Sequence, residues 1–203
     1  MTDFWMPHLA FTLLAFLLLA RFGRSRPLQA GKLFTCLLLS LVPLQGISLA
    51  LQLRTYIGDL SISSLVLLAW ATLSRFGLAP VSSQDRLASL ALFAGLAVLL
   101  YPAALGLSYS DPYQLGYEPR PMLLVMGLLC LVLIIQRSWL GAVALVLATL
   151  AFVLRLNASE NYWDYLIDPL LAFYSLGALL SAALGWLLAR RRAALVSDIR
   201  TTA

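Results

Sequence analysis

Histidine occurs once, lysine once and cysteine twice in 203 residues, and charged side chains make up only 11% of the chain. Each scarcity excludes a class of chemistry. His8 alone builds neither a paired haem ligation nor a zinc site of the usual composition, and Cys36 and Cys130 have no Cys or His neighbour at metal-ligand spacing. No metal site and no cofactor is therefore expected. Lys32 lies outside the apolar runs, which rules out a Schiff-base lysine within a helical bundle. Phosphate-cradling glycine loops, nucleophile elbows and paired CxxC motifs do not occur. No Lys or Arg precedes the first apolar run, so that run is expected to be a retained span and not a cleaved signal peptide.

Apolar residues dominate what remains. They make up 62% of the chain and gather in runs of up to about twenty residues, the length that crosses a bilayer as a helix. Seven runs are bounded by charge, proline or aromatic residues, at about 4–20, 33–53, 60–73, 87–107, 122–135, 139–154 and 169–189. The stretch from Met122 to Leu154 would be about 50 Å as one helix, well beyond one bilayer, so Gln136, Arg137 and Ser138 are assigned to a turn between two spans. Pro43 is expected to kink the second span. The fold class expected is an all-α, polytopic integral membrane bundle of seven helices, with residues 1–192 as one domain and 193–203 as a short cytoplasmic tail.

Charge supports this count independently. Assigning alternate loops to one side gathers Arg21, Arg24, Arg26, Lys32, Arg75, Arg86, Arg137, Arg190, Arg191, Arg192 and Arg200 there, and leaves only Arg54, Arg120 and Arg155 on the other. Asp3, Asp59, Asp111, Glu118, Glu160, Asp164 and Asp168 fall with those three. The positive-inside rule then places the N-terminus outside and the C-terminus in the cytoplasm. The basic residues mark span ends and interleave with no aromatic face, so nucleic acid is not an expected partner. All eight tyrosines lie at or near the outer boundary, as do Trp5 and Trp163, a bias beyond what membrane anchoring requires.

The two outer loops, 108–121 and 155–168, therefore hold the candidate site. In the second, Asn157 and Glu160 have the spacing of a capping pair, and Glu160, Asp164 and Asp168 would follow at i, i+4 and i+8 along one face of a short interfacial helix. Asp168 before Pro169 also suits a helix start, as does Asp111 before Pro112. Asp59 and Asp3 sit just ahead of spans in the same way. This leaves Glu118, Glu160 and Asp164 as acidic binding candidates, with Tyr113, Tyr117, Tyr162 and Trp163 as aromatic ones. Arg54, Arg120 and Arg155 would either converge on a phosphate or carboxylate, or pair singly with Asp59, Glu118 and Glu160. Gln45, Ser48 and Gln52 share a helical face that would turn inward, for helix-to-helix hydrogen bonds or an outward-opening polar cavity. Gly177, Ser181 and Gly185 recur every four residues, the pattern of close helix packing. His8 is read as an interfacial residue, and Asn157, Ala158 and Ser159 form a glycosylation sequon that matters only in a eukaryotic secretory pathway.

Compact loops suit a bacterial inner (plasma) membrane protein. The function expected is a non-catalytic component of the cell envelope that engages a membrane or periplasmic partner protein, a lipid or a glycan at its acidic, aromatic rim. The alternative is a small membrane enzyme or carrier acting on an amphiphile with a polar or anionic headgroup, such as a lipid-linked sugar or phospholipid.

Overall fold

The computed structural model describes residues 5–23, 25–107 and 110–202, with residues 192–202 as helix backbone only. Asp3, Arg24, Ser108 and Tyr109, and the side chains of Arg192 and Arg200, lie outside that description. The fold is all-helical. Its order is α1 (Trp5–Leu19), α2 (Arg26–Leu41), a two-strand hairpin of β1 (Pro43–Leu44) and β2 (Ile47–Ser48), α3 (Leu49–Ile57), α4 (Ile62–Arg75), α5 (Ser83–Ala104), a 3-10 turn over Pro112–Gly116, α6 (Pro119–Ile135), α7 (Trp139–Val153), α8 (Trp163–Leu166) and α9 (Pro169–Thr202). Among the described residues, two helices, Ser83–Ala104 and the Pro169–Arg191 portion of α9, are long and apolar enough to cross a membrane by length and composition, and α1, α4, α6 and α7 are shorter apolar helices.

Local chemistry fixes many of the helix ends. Ser48, Ser61 and Ser82 each accept a hydrogen bond from a first-turn amide, capping α3, α4 and α5. The break at Gln136 to Ser138 ends in a left-handed residue, Arg137 at φ 57°, and the amides of Arg137 and Ser138 bond back to the carbonyls of Ile134 and Leu133 at 2.9 and 2.8 Å. Arg155, at φ 51°, closes α7 in the same way, its amide and that of Leu156 bonding to Phe152 and Ala151. In both places arginine occupies a position that usually selects glycine, and the returning hydrogen bonds offset a cost of about 1 kcal/mol.

The helix expected over residues 33–53 is interrupted. Pro43 has no amide proton and drives Val42 to extended backbone at ψ 122°, so α2 stops at Leu41. Gln45 and Gly46, at φ 55° and 88°, then form the two-residue turn that suits the strand twist, and Pro43 pairs with Ser48, Leu44 with Ile47. The expected inward stripe of Gln45, Ser48 and Gln52 is replaced by local roles. Gln45 is exposed in the turn, Ser48 caps α3, and the Gln52 amide donates to the Leu44 carbonyl across the hairpin.

α7 is the central helix, packing against α4, α5, α6 and α8. Its buried face is mostly alanine, Ala142, Ala144, Ala148 and Ala151 with Leu145, and small side chains let neighbouring backbones approach closely. α2 and α3 pack on α1, and α9 packs on α5. His8, read as interfacial, is instead buried between α1 and α2, its Nδ1 3.1 Å from Ser40 Oγ.

The bundle has two chemically distinct ends. At one, the rings of Phe16 and Phe76 stack at 5.9 Å, Lys32 donates to the Leu19 carbonyl, and Asp85 accepts from Ser138 Oγ at 2.9 Å and the Leu140 amide at 3.1 Å. Those contacts bring together the α1–α2, α4–α5 and α6–α7 turns, where the arginines concentrate. At the opposite end, Asp168 bonds to Ser61 and the Tyr162 amide bonds to the Gly116 carbonyl at 3.1 Å, which gathers the tyrosine-rich loops.

Candidate functional site: an interlocked aromatic cap

At the tyrosine-rich end the two long loops fold onto each other. The side chain of Asn161, fully buried, donates from Nδ2 to the Tyr113 carbonyl at 3.0 Å and accepts at Oδ1 from the Trp163 amide at 2.9 Å. Trp163 Nε1 donates to the Pro112 carbonyl at 2.8 Å. The Tyr113 hydroxyl donates to Asp164 at 3.1 Å, and Ser159 Oγ donates to the same carboxylate at 2.5 Å. Tyr165 OH reaches the Asn157 and Ser159 carbonyls at 2.9 and 3.0 Å and accepts from the Asn157 amide at 3.2 Å. These bonds satisfy groups that would otherwise be costly to bury.

Tyr162 anchors the cap in the bundle. Its hydroxyl shares a 2.5 Å hydrogen bond with Thr149 Oγ1 of α7, and its ring lies 4.9 Å from that of Phe152, which also meets Tyr165 edge-on at 5.3 Å. Asp168 closes the arrangement. One carboxylate oxygen caps α9 through the Leu171 amide at 2.9 Å, and the other accepts from the Ser61 amide and Ser61 Oγ, both at 2.8 Å, and from Ser64 Oγ. One buried side chain thus ties the starts of α4 and α9 together.

The helical row of Glu160, Asp164 and Asp168 does not form, because only Trp163–Leu166 is helical. Asn157 bonds to its neighbour's amide, that of Ala158, in place of pairing with Glu160. The three carboxylates diverge in environment: Glu160 is exposed, Asp164 is half-buried under Tyr113 and Ser159, and Asp168 is buried. Asp111 caps the 3-10 turn through the Tyr113 amide, as its place before Pro112 suggests. Ser61, and not Asp59, caps α4.

Tyr162 and Trp163, candidate stacking residues, are instead buried structural anchors. Tyr113 is half-buried, and Tyr117 stands outside it, 58% exposed, with the two rings edge-on at 5.8 Å. Glu118, Arg120 and Arg155 are exposed. Arg54 holds Asp59 with both Nε and Nη2, at 2.6 and 2.7 Å, beside a small cleft of about 20 Å³ lined in part by Met6, Ala50 and Leu60. That ion pair is partly exposed, so Arg54→Gln should shift stability by less than about 1 kcal/mol, measured by denaturant unfolding in mild detergent. Gly177, Ser181 and Gly185 are exposed on α9, and a Cβ at either glycine would meet nothing within 4 Å. Among the described residues, no three His, Cys, Asp or Glu side chains are grouped to hold a metal ion.

Burial raises the Tyr113 phenol well above its ordinary value of 10.0, and the Asp164 charge and hydrogen bond raise it further. Burial likewise raises Tyr162 and Tyr165. Below about pH 10 these groups are protonated in both folded and unfolded chains, and their contribution is fully present. Above it the unfolded phenols ionise while the folded ones are held neutral, so stability falls as pH rises. Tyr113→Phe should lower stability by about 1 kcal/mol at pH 7 and make the loss above pH 10 shallower, checked by unfolding at pH 7 to 11.

Sequence reading missed three determinants of this site: Gly116, the double use of Asp168, and the serines Ser61 and Ser64 that donate to it. The polar cluster Ser61, Ser63 and Ser64 inside an otherwise apolar run was the available signal for the last two. No protein-family model, curated protein or solved structure matches this chain.

Proposed function

We propose that this chain is a seven-span protein of a bacterial inner membrane, with its tyrosine-rich end outside and its arginine-rich end in the cytoplasm. In this reading it acts as a non-catalytic binding component that presents the interlocked cap to a membrane or periplasmic partner protein. The observation that carries the reading is how the cap uses its own chemistry. Tyr113, Asn161 and Trp163 spend their hydrogen-bonding groups holding the two loops together, Tyr162 ties the cap to α7, and Tyr165 braces its own loop. Glu118, Glu160 and Tyr117 are left facing outward from a rigid base. A sugar would need open aromatic faces, and two of the four candidate rings are fully buried. A protein partner needs only a preorganised surface with a few outward anchors.

Charge reversal tests this. Glu118→Lys with Glu160→Lys should leave the unfolding midpoint unchanged and abolish stoichiometric copurification of one identified membrane or periplasmic protein in mild detergent. Turnover of an amphiphile by the purified chain alone would sink the reading. Labelling of a cysteine placed at residue 160 from the cytoplasmic side only, in sealed vesicles, would overturn the orientation.

A further inference from the structure

At the arginine-rich end the α1–α2 and α4–α5 turns touch. Besides the Phe16 and Phe76 stack, Arg26 reaches across so that its Nη2 lies 3.5 Å from the point a Cβ on Gly77 would occupy. This sets Arg26 against the turn that begins at Arg75, while Arg21 lies just past the end of α1 in the stretch where Lys32 Nζ donates to the carbonyls of Leu19 and Phe22. Four of the described cations thus gather at or beside two adjoining turns. Arg21, Arg26 and Arg75 are exposed, and none of them forms an ion pair among the described residues. The only described carboxylate at this end, Asp85, is buried and bonded to Ser138 and Leu140.

Helix polarity accounts for part of the cluster. Arg21 and Arg75 lie at the C-terminal ends of α1 and α4, where a cation is favourable. Arg26 is placed the opposite way: it opens α2, whose first turn has no acidic residue and no side-chain cap. A cation there is unfavourable until an anion joins it. The apolar residues of the same turns indicate where the anion comes from. Phe22 is 71% exposed, Leu78 69% and Leu28 48%, among polar neighbours. Side chains of both kinds on one surface suit the headgroup boundary of a bilayer, where rings and leucines enter the acyl region and arginines stay at the phosphates.

We infer that the paired α1–α2 and α4–α5 turns form a docking surface for the phosphodiester headgroup of an anionic phospholipid, with Arg21, Arg26 and Arg75 as its cationic contacts. The inference rests on the membrane reading above. A soluble phosphate would have no use for Phe22, Leu28 and Leu78, and an acidic protein segment would not require those residues at the boundary depth.

The test uses the full chain in mild detergent, titrated with phosphatidylglycerol or phosphatidylcholine of matched acyl chains and followed by native mass spectrometry. Wild type should bind phosphatidylglycerol at least tenfold more tightly. Each arginine near an anionic surface contributes roughly fivefold, so R21Q/R26Q/R75Q should weaken phosphatidylglycerol binding by about a hundredfold and leave phosphatidylcholine binding unchanged. The R21K/R26K/R75K variant should retain most of the preference, which separates lost charge from misfolding. R120Q/R155Q, at the opposite end, should behave as wild type. Equal affinity for the two lipids, an unchanged preference in R21Q/R26Q/R75Q, or displacement by millimolar inorganic phosphate or an acidic peptide would overturn the inference. The membrane reading is scored separately, by whether the chain stays in the membrane pellet after alkaline carbonate extraction.

Discussion

Gly116→Ala is expected to destabilise the protein by about 3 kcal/mol, because a single methyl group there has no room. A Cβ would run into Asn161 Oδ1, come within 2.7 Å of Asn161 Cγ and lie 2.9 Å from Trp163 Cδ1, all side chains that hold the two loops together. Neither residue is free to retreat. Asn161 is bonded at both ends of its amide, and Trp163 is bonded through its indole nitrogen. For a chain of this size the loss corresponds to a fall of roughly 10 °C in unfolding temperature. Asn161→Ala alone should cost about 2 kcal/mol by removing two buried hydrogen bonds. In the double variant the costs should be sub-additive, since the worst collision disappears with the Asn161 side chain while that with Trp163 remains. Thermal unfolding in mild detergent of the four proteins in this cycle provides the check. Additive costs would show that the loops are not locked together through this contact. The same variants bear on the proposed function: if the cap presents a preorganised surface to a partner protein, Gly116→Ala should weaken that binding at temperatures where the rest of the bundle is still folded.

Asp168→Ala should be at least as damaging, by about 3 to 5 kcal/mol. The carboxylate accepts from two buried amides, of Ser61 and Leu171, and from the hydroxyls of Ser61 and Ser64. Removing it orphans donors at the starts of two helices in a place water does not reach, and each buried unsatisfied amide costs about 1 to 3 kcal/mol. Asp168→Asn should recover part of the loss, because its carbonyl oxygen still accepts while its amide nitrogen meets donors. Ser64→Ala should cost about 1 to 2 kcal/mol and couple to Asp168→Ala by at least 1 kcal/mol in a double-mutant cycle. Equal stability of Asp168→Ala and wild type would show that the starts of α4 and α9 are held by apolar packing alone.

Both effects lie where the sequence was least informative. Gly116 lies in a loop, where glycine is ordinary, and its need for a bare α-carbon arises from Asn161, 45 positions along the chain. Asp168 was legible as a helix start from its place before Pro169, which is a local rule, but its second oxygen serves Ser61, 107 residues away. The expected carboxylate row failed for a similar reason. A spacing of four supports a helix only if nothing else claims the side chains, and Tyr113 and Ser159 claim Asp164 while Ser61 and Ser64 claim Asp168. In the hairpin the missed signal was local: Pro43 followed by Gln45 and Gly46 specifies a turn, which the surrounding apolar pattern concealed.

The chain by itself determined the all-helical class, the stop at Gln136 to Ser138 and the placing of most arginines in other turns than the tyrosines. Each depends on properties that act over a few residues: apolar run length, capping chemistry, and the charge of a turn. Tertiary structure decided which polar groups remain available. It turned Tyr162 and Trp163 from candidate ligand contacts into anchors and left Glu118 and Glu160 outside, while the pairing of Arg54 with Asp59, five residues on, was already open to the sequence. The physical reason is that a buried polar group must find a partner wherever the fold supplies one. That partner is chosen by proximity in space, which local sequence rules do not contain.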